Sequence, residues 1–202
     1  MKRSQKFAVL ETNWHRNDVP VRPIFAFLRE AKGNDFFYER FFSSDSLAES
    51  LKLVIRPSVA CIYLGAHGTN DKIEFPNGDA IGIKRLSRLL QKNCVNTDVR
   101  GLYLDVCEFG TKKHAEEILK SVTSLVWVCG YDKPCEWFRS ITFSALFFAC
   151  YLDEIRRPRM RSIAAVHSVA ERLRGGLSTE LGFNVFVRNS KRIGGIRNFI
   201  QK

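Results

Sequence analysis

Two residues in this sequence carry a nucleophile and a base. His67 lies in the stretch CIYLGAHGTND (61–71), and Cys107 lies in GLYLDVCEFGT (101–111). Each follows a short apolar run that stops abruptly. A thiolate attacks an acyl carbon while an imidazole carries the protons, so this pair has the parts of covalent cysteine catalysis. Glycines favour the same chemistry: Gly68 follows His67 and leaves a backbone N–H open beside it. The chain after Cys107 is expected to start a helix, where amide groups and the positive helix end favour a thiolate and an oxyanion.

The surrounding elements explain how two residues forty positions apart would meet. Apolar runs predict strands over 6–12, 36–41, 59–65, 99–105, 124–129 and 183–188. Between them, apolar spacing, caps and glycines predict helices over 21–33, 43–55, 83–93, 111–121, 137–153 and 160–176, with a small hairpin around Asn77-Gly78. Alternating strands and helices, with nearly continuous apolar central strands, describe an α/β fold: a single three-layer sandwich with a mostly parallel central sheet. Ligands in such sheets bind beyond the carboxyl ends of the strands. His67 and Cys107 each fall two residues past a predicted strand end, and the two strands are expected to be neighbours.

The chain has 202 residues, which suits one domain, residues 1–202, with a basic tail over 188–202. The apolar fraction is 45% and charged residues make up 26%, which excludes a disordered chain. The formal net charge of +11 fits nucleic acid, an anionic surface or an acidic partner, and selects none of them. The aromatic residues lie inside apolar runs rather than among basic ones, so a nucleic-acid stacking platform is not favoured. The longest apolar segment, 137–152, contains Arg139 and is shorter than the ~20 residues a membrane span needs, so no membrane insertion is expected. The FAVL of the first ten residues is too short for a signal core; a reducing, cytoplasmic setting with six free thiols is the expectation. No CxxC pair occurs and no dense acidic cluster suggests calcium, so neither a metal nor another cofactor is expected.

Other chemistries fit less well. A phosphatase cysteine needs an arginine six residues on, and that position is Lys113, which lacks the bidentate fork. There is no GxxxxGK[ST] loop, and GAHG is not a dinucleotide fingerprint.

The segments YLGAHG and LYLDVCEFG resemble the two signature segments of the caspase-like cysteine peptidases, the clan of caspases, metacaspases, separases and clostripain-like enzymes, and most of all the bacterial CHAT-type domains. The shared features are an apolar strand running into His-Gly, a second running into Cys with a glycine close behind (here Gly110), and the order His before Cys. The resemblance covers roughly residues 6–153 and implies a caspase-like fold. It also implies a cysteine endopeptidase acting through a His67–Cys107 dyad without a third carboxylate. The amides of Gly68 and Cys107 would hold the oxyanion. The chain lacks the repeat or sensor modules often fused to CHAT domains, and its Cys150-containing helix is unusual, which leaves regulation open. A protein or peptide substrate follows, with a regulatory protein partner or activation event as control. The alternatives are a catalytically weak or inactive caspase-like interaction module, and a basic protein that binds nucleic acid or an acidic partner.

The same resemblance implies a role for Asp105, since metacaspases and clostripain-like enzymes also tend to carry Asp there to bind a basic P1 side chain. A carboxylate at a strand end can pair with a guanidinium in a sheltered pocket, or it can cap the following helix. Glu11, ending the first strand on the same rim, either adds to an acidic pocket or faces solvent. Arg16, in the next loop, would instead favour an acidic P1 residue, as loop arginines do in caspases. Asp132 either lines the substrate groove or is an ordinary loop acid. His114 is expected to point away from Cys107, His167 to pack in its helix, and His15 to offer at most a second polar contact in the cleft.

Overall fold

The computed structural model describes residues 6–12, 20–188 and 196–198. Nine strands and seven helices occur among them: β1 (Lys6–Glu11), α1 (Arg22–Lys32), β2 (Phe36–Arg40), α2 (Ser44–Val54), β3 (Val59–Gly68), β4 (Lys72–Glu74), β5 (Ala80–Gly82), α3 (Ile83–Cys94), β6 (Gly101–Val106), α4 (Lys112–Ser121), β7 (Trp127–Tyr131), α5 (Trp137–Ile155), α6 (Ser162–Arg172), α7 (Leu177–Glu180), β8 (Phe183–Arg188) and β9 (Ile196–Asn198).

The main sheet runs β2-β1-β3-β6-β7-β8-β9. Its first five strands are parallel; β8 pairs antiparallel with β7, and β9 antiparallel with β8. The strand alternation sorts the core into two layers. Ala8, Leu10, Ile62, Leu64, Leu102 and Leu104 pack on one face with apolar residues of α2, α3 and α4. Phe7, Val9, Cys61, Tyr63, Tyr103 and Cys129 pack on the other with α1, α5 and α6. The result is a three-layer α/β sandwich with a mixed, mostly parallel sheet. Aromatic rings fill the second layer: Tyr103 lies 5.0 Å from Phe147 and 5.1 Å from Phe148, centroid to centroid. Among the described residues, no helix is long and apolar enough to cross a membrane.

Local signals account for most boundaries. Ser43 and Ser46 form a reciprocal capping box at the start of α2, and Gly33 closes α1 in the left-handed region at φ 62°. The hairpin around Asn77-Gly78 is present as β4 and β5, with Ile73 opposite Ile81. Three expectations shift. The strand expected over 124–129 is β7 at 127–131, because the Leu125 N–H donates to the Val122 carbonyl and keeps the chain turning after α4. The helix expected over 160–176 ends at Arg172; Gly175 and Gly176 then take positive φ and α7 follows. The strand of the candidate histidine is longer than the expected 59–65, since β4 pairs with its end. The basic tail lies mostly outside the described residues; Ile196–Asn198 pairs with β8.

Candidate functional site

Strands β3 and β6 are parallel neighbours, in register Gly65 to Asp105 and Ala66 to Val106. His67 is the next residue of β3, opposite Glu74 of β4, and so lies within the strand rather than two residues beyond it. Cys107 is the first residue after β6. Both continue the alternation of Tyr63 and Tyr103, so they belong to the sheet face covered by α5. They line one cleft together with Glu11, Asp105, Cys135 and Trp137; it encloses about 590 Å³ including its open mouth.

Backbone direction decides which amides face that cleft. The Thr12 N–H donates to the Gly65 carbonyl, and the Thr69 N–H donates to the Lys72 carbonyl of the β4 side. Odd residues at this end of β3 therefore turn their backbone groups toward β1 and β4, and even ones toward β6. The Gly68 amide is thus aimed at the Cys107 side. A side chain at 68 would meet Val106 Cγ1 at 2.4 Å, which is why glycine follows the histidine.

Cys107 does not stand at a helix start. α4 begins at Lys112, with the Thr111 hydroxyl accepting from the His114 N–H at 3.3 Å. Residues 107–110 instead form a turn in which Glu108 takes a φ of 59°. Three contacts hold it. The Glu108 N–H donates to the Lys133 carbonyl at 3.1 Å, and the Gly110 N–H to the Tyr131 carbonyl at 2.7 Å. The His114 ring packs 4.2 Å from the Phe109 ring, and its Nδ1 lies 2.9 Å from the Phe109 carbonyl; the carbonyl can only accept, so Nδ1 carries the proton. His114 is buried and turned to this job, as its expected orientation away from Cys107 requires; burial holds its pKa below the ordinary histidine value.

The partner of the Cys107 thiol is Cys135, which sequence reasoning missed. The two Sγ atoms are 3.2 Å apart, and the Cys135 N–H donates to Cys107 Sγ at 3.4 Å. The Cys135 thiol donating to the Cys107 sulfur, and the Cys135 amide, outweigh burial and lower the Cys107 pKa to about 7; the same contact raises that of Cys135. Donors from the loop after β7 do what the helix end was expected to do. Only the placement of a cysteine just past the next strand hinted at this.

The acidic residues sort clearly. Glu11, Gly65 and Asp105 form one rung across β1, β3 and β6. Asp105 caps no helix: its Oδ2 accepts from the Tyr63 hydroxyl at 2.5 Å and the Ser144 hydroxyl at 3.3 Å. Glu11 does not simply face solvent, being 6% exposed; its Oε2 accepts from the Val21 N–H at 2.7 Å and its Oε1 from the Tyr38 hydroxyl. Burial raises the pKa of both carboxyls, and the Asp105 charge adds to the rise at Glu11. Between them the Tyr63 ring lies close over Gly65, where a Cβ would press on it at 3.0 Å.

The remaining candidates lie elsewhere. Asp132 is not among the residues lining the cleft; its N–H donates to the Gly182 carbonyl at 2.9 Å, which turns that loop toward β8. His167 sits on α6, its Nε2 3.9 Å from Glu171. Arg16 and His15 fall outside the described residues. Among the described residues no group of three or more His, Cys, Asp or Glu side chains is arranged to hold a metal ion.

Chemically, the cleft offers a thiol of lowered pKa, an imidazole from the neighbouring strand, an amide aimed at the thiol's side and a recess with two carboxyl groups. No protein-family model matches the chain, and no curated protein matches it.

Proposed function

We propose that the protein is a cysteine endopeptidase of the caspase-like type that cleaves after a basic P1 residue. The observation that carries this reading is that Cys107, His67, Glu11 and Asp105 line one cleft at the ends of adjacent parallel strands. In the proposed reaction His67 takes the Cys107 proton and the thiolate attacks the scissile carbonyl. The Gly68 amide stabilises the oxyanion. The tetrahedral intermediate collapses, the peptide C–N bond breaks, and the leaving amine takes the proton held on His67. A water, deprotonated by His67, then hydrolyses the thioester and frees Cys107.

The P1 side chain would enter the cleft toward Glu11 and Asp105, against the Tyr63 ring that lies over Gly65. Burial raises the pKa of both carboxyls, and an arriving guanidinium or ammonium would favour their charged forms while gaining a charge-assisted hydrogen bond. An acidic P1 residue would meet the carboxyl groups of Glu11 and Asp105. Control by a partner protein or activation event, and action in the cytoplasm, belong to the same proposal.

The test is cleavage of matched peptides with Arg, Lys, Asp or Leu at P1 by the purified protein, alongside C107A and H67A. Arg and Lys peptides are expected to be cut, and both variants to lose the activity. Cleavage unaffected by C107A, or a preference for Asp or Leu, would overturn it.

A further inference from the structure

The loops after β6 and β7 are locked together, and the lock brings two thiols into contact. The Glu108 N–H and Gly110 N–H both donate into the 131–133 backbone. A Cβ on Gly110 would lie 2.2 Å from the Gly130 carbonyl carbon, so only glycine permits this approach. Cys107 Sγ and Cys135 Sγ are consequently 3.2 Å apart, and both side chains are partly exposed in the cleft. The other thiols stand apart from this pair: Cys61, Cys94 and Cys129 are buried in the core, and Cys150, on α5, is half-buried against the second core layer.

We propose that Cys135 is a resolving thiol, which captures Cys107 as an intramolecular disulfide when a peroxide oxidises it. The bond-forming chemistry stands on the two loops alone; its consequence, a reversible block of peptide cleavage, rests on the proposed function. In the first step the Cys107 thiolate attacks one peroxide oxygen. A sulfur–oxygen bond forms, the oxygen–oxygen bond breaks, and the leaving oxygen takes a proton as water or an alcohol. Cys107 is now a sulfenic acid, oxidised by two electrons. In the second step the Cys135 sulfur attacks the Cys107 sulfur. The disulfide forms, the sulfur–oxygen bond breaks, and the hydroxyl leaves as water with the Cys135 proton.

The geometry suits the second step. A disulfide needs sulfurs about 2.05 Å apart, so the pair must close by only roughly 1.2 Å, within reach of side-chain rotation. The Cys107 thiolate is also the chief reason the Cys135 proton is held tightly; once that sulfur is a sulfenic acid, the restraint is removed. A nucleophile whose neighbour waits at this distance is protected from further oxidation, since resolution competes with the irreversible step to sulfinic acid.

The experiment is peroxide treatment of the reduced, full-length protein, followed by capping of free thiols and mapping of cross-linked peptides by mass. The expected result is loss of two of the six thiols, a Cys107–Cys135 linked peptide, and recovery of both thiols with dithiothreitol. The variant C135A should give no linked peptide and should accumulate a Cys107 sulfenic acid trapped by dimedone. Cys107 that proceeds to sulfinic acid in the unaltered protein without a 107–135 link would overturn the proposal. So would a link from Cys107 to any other cysteine, or retention of all six thiols. The mass readout needs no peptidase activity, so a linked peptide from a protein that cleaves nothing would uphold the thiol chemistry while sinking the proposed function.

Discussion

Replacing Asp105 with Asn should raise stability and lower activity toward basic substrates at the same time. Asn is nearly isosteric, and its carbonyl oxygen can still accept from the Tyr63 and Ser144 hydroxyls that reach Asp105. What disappears is a charge in a place where burial costs more than those hydrogen bonds return, as the raised pKa shows. A carboxyl with a raised folded pKa favours the folded state at low pH, and that contribution is lost as pH rises through the folded value. D105N should therefore melt higher than the unaltered protein at pH 7, with the gap closing below about pH 4, where the carboxyl is protonated in both states. The activity change has the opposite sign. A hydrogen bond to a charged partner contributes about 1.5–3 kcal/mol, or roughly 10- to 150-fold in kcat/KM for an Arg peptide, with little change for Leu at P1. Thermal melts across pH and the Arg-to-Leu ratio of kcat/KM measure the two arms. An unchanged ratio would remove Asp105 from substrate recognition, and a lower melting point at pH 7 would refute the electrostatic argument itself.

Other outcomes follow from the Cys107 turn. Iodoacetamide labelling of Cys107 should rise with pH through a midpoint of about 7, and C135A should move that midpoint up toward the ordinary thiol value of ~8.5, as read by mass-resolved labelling rates. Gly110→Ala drives a methyl into the Gly130 backbone at 2.2 Å, so it should cost about 1–3 kcal/mol or more by denaturant titration. His114 has a depressed pKa, so it adds stability above ~6.5 that is lost as pH falls through its folded value; a His114→Ala variant should start less stable at neutral pH but lose less on acidification, as urea midpoints would report.

What the sequence revealed and what it hid follow from the range of the forces involved. Capping at Ser43, the stop at Gly33 and the apolar runs of the central strands are local, and they located α1, α2, β1 and β6 closely. The end of β3 was misplaced because its last rungs are held by β4, whose pairing is not visible in the apolar run. The helix expected over 111–121 is α4, but Cys107 does not stand at its start, because a turn with Glu108 at positive φ lies between them. Glu11 and Asp105 were legible as strand-end acids, but the hydroxyls of Tyr63, Ser144 and Tyr38 that tether them come from elements up to 42 positions away in the chain. Asp132 was legible only as a loop acid that could line the groove or not; its amide pairs with Gly182, a partner 50 positions on that the local sequence does not reveal.

The pattern CEFG can now be read physically. A β-strand that passes straight into a helix would carry residue 107 away with the chain. A turn holds it at the sheet edge instead, and that turn requires Glu108 to take a positive φ, a strain of about 1–3 kcal/mol for a non-glycine residue. The strain persists because other contacts over-determine the turn: two backbone hydrogen bonds to the 131–133 segment, the Gly110–Gly130 approach, and Phe109 buried against His114. These same contacts set the position of Cys135 relative to Cys107. The reactive sulfur, the donors that lower its pKa and the thiol that can capture it are therefore one construction. A substitution that loosens the turn enough to free Cys107 from Cys135 also removes the support that keeps Cys107 in the cleft.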